Sequence, residues 1–141
     1  MNFDKLELDN FFCCILLFGN AQVIKLVIAS DHTDAIKTIN EEYDLAKIAS
    51  ILSIKEMISM AKDVEENPQN IHVIEISNEN DNFAIKDIVE KGISIEDIKQ
   101  KYLGRSIFVL TNKQIISNLN LMFSWIQDNS EIPLISQKMS L

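Results

Sequence analysis

Residues 11–18 read FFCCILLF, eight apolar residues without a break. Such a segment has no face to leave in water, so it is buried either as a strand covered on both sides or as part of a core helix. Periodicity does not separate the two for residues 11–29. The run is far short of the roughly 20 residues that cross a bilayer. Asp4, Glu7 and Asp9 outweigh Lys5 ahead of it, the reverse of the positive stretch in a secretory leader. Cys13 and Cys14 are adjacent and poorly placed to pair. They read as small buried hydrophobes of a reducing compartment, and the chain as cytoplasmic.

Further along, start and stop signals mark the elements. Asp31 and Asp34 open a helix carrying Ala35, Ile36, Ile39 and Tyr43 at helical spacing. Leu45, Ile48 and Leu52 after Asp44 predict more helix. Ser53 with Glu56 has the form of a capping box for a helix ending near Asn67 and Pro68. Ile71, Val73, Ile74 and Ile76 predict a strand, followed by a polar connection over 78–82. Ile85, Ile88 and Val89 predict a helix stopped by Gly92. Ser94 with Asp97 starts another, and residues 106–111 read as a second strand. With Asn112 as cap, Ile115, Ile116, Leu119, Met122, Phe123 and Ile126 form the core stripe of a last helix. Leu121 and Trp125 lie beside that stripe, as packing side chains or as an exposed anchor. The fold expected is one α+β domain over 1–133, mostly helical with a small sheet, with an all-α domain as the alternative. Pro133 closes the regular structure, and 134–141 read as a loosely ordered tail.

Three isolated glycines leave no phosphate-binding loop or dinucleotide fingerprint. No metal or nucleophile motif is present, so no catalytic, cofactor or metal residue is assigned. His32 is explained by capping and solvent exposure. His72 alternates with core residues on its strand and is expected to point outward.

Charge is more informative. The chain carries a formal −8, which disfavours nucleic acid and anionic membrane as partners. From Asp63 to Glu90, eight carboxylates face one lysine, Lys86. Either this is a solvated acidic face, or it steers the chain onto a positively charged protein. The expected function is a non-enzymatic, acidic protein-binding module: an inhibitor or immunity-type protein for a basic partner, or a chaperone for a secreted protein. Its contact residues are Glu65, Glu66, Glu79, Asp81, Leu121 and Trp125. One alternative is a small enzyme or effector using a carboxylate with His32 or His72, marked by a concave site that gathers such groups. Another is a structural subunit self-associating through Leu121 and Trp125.

Overall fold

The computed structural model describes residues 10–43, 47–80 and 82–135. Strands β1 (Phe11–Phe18), β2 (Ala21–Ile28) and β3 (Lys47–Ser53) form one antiparallel sheet in the order β2-β1-β3. Strands β4 (Asn70–Glu79), β5 (Asn82–Lys91) and β6 (Ile107–Leu110) form a second, in the order β5-β4-β6. Helices α1 (His32–Glu42), α2 (Ile54–Glu66), α3 (Ile95–Lys101) and α4 (Asn112–Ile135) connect and cover them.

This corrects the expectation of a mostly helical domain with one small sheet. The helix predicted around Ile48 and Leu52 is β3, where every residue from Ala49 to Ser53 is buried. A strand hidden on both faces shows no alternation, and its apolar residues imitate helical spacing. The helix predicted at Ile85–Val89 is β5, paired along its length with β4. Gly92, at φ 75°, therefore turns the chain after a strand and does not cap a helix. At α4 the cap is Thr111, not Asn112: its Oγ1 accepts the Gln114 N–H at 3.2 Å, and its carbonyl accepts the Ile115 N–H. Helix α4 runs just past Pro133, and the rest of the tail, from 136, lies outside the described residues.

Other local signals act as read. Asp31 accepts the Asp34 N–H at 2.8 Å. Ser53 and Glu56 complete the capping box of α2, and Ser94 caps α3 through the Asp97 N–H. In the β1–β2 hairpin, Gly19 takes φ 63° in a two-residue turn, a conformation that favours glycine.

The apolar run is thus β1, the middle strand of its sheet. One face, with Phe11, Cys13 and Ile15, joins Met57, Met60, Val64, Ile74, Leu110, Ile115, Leu119 and Met122 in the central core. The other, with Phe12, Cys14 and Leu16, packs on Ala35, Ile36 and Ile39 of α1. A third cluster joins Val73 to Ile98 and Tyr102 across the far face of the second sheet. Each large side chain buried this way contributes about 1.5–3 kcal/mol. Adjacent strand residues point to opposite faces, so the two thiols enter different clusters. Burial raises the Cys13 thiol to about 12, and burial with the neighbouring Cys13 raises Cys14 further. Neither forms a thiolate near neutral pH. Ile116 and Phe123, expected in the core stripe of α4, are exposed, and the buried set narrows to Ile115, Asn118, Leu119 and Met122.

Candidate functional site

Helix α2 packs against α4, β3 and β4, and its polar stripe carries Glu56, Ser59, Asp63 and Glu66 at intervals of three and four residues. His72 comes up beside it from β4. Its side chain is not turned to solvent, as alternation predicted, but keeps only 3% exposure. Both faces of the sheet are covered at this point, so the consecutive residues His72, Val73 and Ile74 are all buried.

What makes a buried histidine tolerable is the pair of carboxylates around it. Nδ1 lies 2.8 and 3.0 Å from the Asp87 oxygens, and Nε2 lies 2.8 Å from Asp63 Oδ2. Carboxylates only accept, so both ring nitrogens donate and the ring is an imidazolium. The hydrogen bond to Asp87 is the largest cause raising its pKa above 6.5, against the opposing effect of burial. Asp63 is fixed in turn by Asn70 at 3.1 and 3.2 Å and by Asn67 at 3.3 Å. The hydrogen bond from Asn70 is the largest cause, and with His72 it outweighs desolvation and holds the carboxyl below the usual range.

A second histidine–carboxylate pair sits further along α2. His32 Nε2 lies 2.8 Å from Glu56 Oε1, the same oxygen that accepts the Ser53 N–H at 2.8 Å. The His32 ring stands edge-on to Phe12 at 5.1 Å. Burial pushes the Glu56 carboxyl up, but the donors from His32 and Ser53 outweigh it and leave it below its ordinary value.

Two hollows adjoin along this stripe. One, about 460 Å³, is lined by Phe12, Asp31, His32, Lys55, Glu56 and Ser59 among others. The other, about 350 Å³, is lined by Glu56, Ser59, Met60, Asp63, His72, Asp87 and Val89. Glu56 and Ser59 belong to both. Four carboxylates therefore line the two hollows, and among the described residues Lys55 is the only lysine or arginine in either lining. Among the described residues, no group of three or more histidine, cysteine or acidic side chains is arranged to hold a metal ion. Comparison of the chain with protein-family models, curated proteins and solved structures finds no match.

Half of the long acidic run is engaged by partners inside the fold. Asp63 and Asp87 hold His72. Glu75 pairs with Arg105, whose Nε lies 2.7 Å away, and Glu90 binds Lys101 at 2.8 Å and the Tyr102 hydroxyl. Lys101 and Arg105, which follow the run in sequence, return to neutralise it. Of the contact residues expected from sequence, Glu65 and Glu66 are exposed at the end of α2. Glu79 is the last residue of β4, and Asp81 lies outside the described residues. Leu121 is 37% exposed, whereas Trp125 is half-buried against the central core. Glu65 stands beside Ile116 and Lys113 at the start of α4, on a different side of α2 from the hollows. Sequence reading missed Glu56, Ser59 and Asp87 as one site. The polar spacing along α2 was the available signal for the first two; Asp87 had none, because it sat in a presumed helix.

Among the described residues, no helix is long and apolar enough to cross a membrane.

Proposed function

We propose that the chain is a protein-binding module that captures a basic partner protein, with the adjoining hollows along α2 receiving lysine or arginine side chains. The observation that carries this reading is the placement of Asp31, Glu56, Asp63 and Asp87 along two adjoining hollows, where Asp63 and Asp87 together exceed the one charge of His72 and, among the described residues, Lys55 is the lone long cation. Val89, half-exposed in the lining of the smaller hollow, supplies apolar surface for the stem of such a side chain, and carboxylates accept from its head. Glu65, Glu66, Glu79 and Asp81 add to the long-range field that steers approach. His72 argues against general-base chemistry at this position, because a ring donating from both nitrogens has no lone pair to accept a proton.

The test begins with affinity purification from the native cell, washing first at low and then at high salt, to identify the partner. Ser59→Arg places a bulky cation in both hollows from an exposed helix position. It is expected to slow association about tenfold or more, while neutralising Glu65, Glu66, Glu79 and Asp81 together flattens the salt dependence. Unchanged association by Ser59→Arg rules out the hollows as the binding surface.

A second reading, acid–base catalysis by His32 with Glu56, is favoured by the placement of that pair in the wall of the larger hollow. In that case His32→Gln abolishes turnover of a small substrate and leaves capture of a basic protein intact.

A further inference from the structure

The second sheet ends in a free edge. Among the described residues, β6 is paired only to β4. The Ile76 N–H donates to the Ser106 carbonyl at 3.4 Å. Bonded pairs alternate in an antiparallel ladder, so Phe108 and Leu110 bond toward β4 while Ile107 and Val109 turn their N–H and C=O groups away from it. Edges of this kind are usually blunted by proline, charge or a bulge. The sequence of β6 is IFVL and its register is continuous. A groove of about 550 Å³ runs beside it, walled by Ile95, Lys99 and Leu103 on the α3 side and by Gln22 of β2. Leu103, at 78%, is the most exposed large apolar side chain among the described residues.

Charge selects the occupant. Lys99 and Arg105 line this groove and, among the described residues, no carboxylate does, on a chain whose formal charge is −8. Arg105 is engaged by Glu75, whereas Lys99 takes part in none of the ion pairs among the described residues. We infer that the groove takes an extended segment of a partner protein, added as a further strand on β6. Its apolar side chains lie at alternate positions against Ile95 and Leu103, and one carboxylate meets Lys99. Ile107 and Val109 supply the backbone bonds and the flanking pockets supply the selectivity. The four residues of β6 span about 13 Å, so a contact of four to six residues suffices. This surface uses other elements and the opposite charge from the α2 hollows, and it stands whether or not those bind a basic protein.

The full chain, nitrogen-labelled for NMR, is titrated with two hexapeptides, one alternating valine with aspartate and one alternating valine with lysine. The acidic peptide is expected to shift the Ile107 and Val109 amides, slow their exchange, and bind about fivefold more tightly than the basic one. Lys99→Glu reverses that preference. Leu103→Ser, at a position too exposed to support the fold, removes apolar contact without adding charge and weakens both peptides. Equal binding of the two peptides, no binding, or shifts confined to other elements would overturn the assignment. Concentration-dependent shifts of Ile107 and Val109 without peptide would also overturn it, because the edge would then belong to a second copy of the chain.

Discussion

Phe12→Ala is expected to destabilise the chain by about 3–5 kcal/mol, the usual cost of emptying a phenylalanine site in a core that cannot collapse. Phe12 keeps 1% exposure on the central strand β1, where α1 covers it. It also backs the larger hollow and holds the His32 ring edge-on. The substitution therefore removes core volume and loosens the wall that positions Glu56. Urea denaturation gives the first effect as a lower midpoint with an unchanged slope. Leu121→Ala is the control: its side chain is partly in solvent already, and the expected loss is under about 1 kcal/mol. Similar losses for the two variants would mean that β1 is not the covered centre of the fold.

The second large effect belongs to His72. His72→Gln removes a cation from between two acids and is expected to cost about 2 kcal/mol. That is below the roughly 3–5 kcal/mol of a fully buried ion pair, because the Asp63 and Asp87 side chains keep 31% and 36% exposure and water takes over part of their solvation. The pH dependence distinguishes this loss from simple packing. The folded pKa of His72 lies above its unfolded value of 6.5. Its contribution is therefore complete below 6.5 and fades as pH rises through the folded value. Asp63 has the opposite sign. Its folded pKa lies below 3.8, so its contribution is present above 3.8 and lost as pH falls through the folded value. Wild-type stability should be highest between these limits. In His72→Gln the decline on the alkaline side should disappear. A variant as pH-sensitive as the wild type above 6.5 would show that another group titrates there.

How far the sequence led depended on whether the deciding contacts were local. Helix starts were readable because a capping box needs only Ser53 and Glu56, or Ser94 and Asp97, within one turn. The strand at 71–76 was readable from its β-branched run, and the β6 strand from its apolar block between Arg105 and Asn112. By contrast, β3 and β5 owe their conformation to partners far along the chain: Cys14 opposite Ile51, and Ile74 opposite Asp87. Their spacing alone, with Ile85, Ile88 and Val89 at three and four residues, fits a helix equally well. His72 failed for the same reason. Its partners lie nine residues before and fifteen residues after it, and only the pairing of β4 with β5 under α2 brings them together. The acidic run was visible as a composition, yet its division into internal pairs and free surface depended on where Lys101 and Arg105 return.

The state of the His72 ring separates a surface that grips cations from one that moves protons, and nitrogen NMR through a pH titration reads it directly. The two carboxylate partners predict that both ring nitrogens carry protons and that one is lost above the ordinary 6.5, later than from a free imidazole. A ring that loses its proton at or below 6.5, with a bare nitrogen open to the hollow, would give the site a working base and contradict its assignment as a receptor for basic side chains.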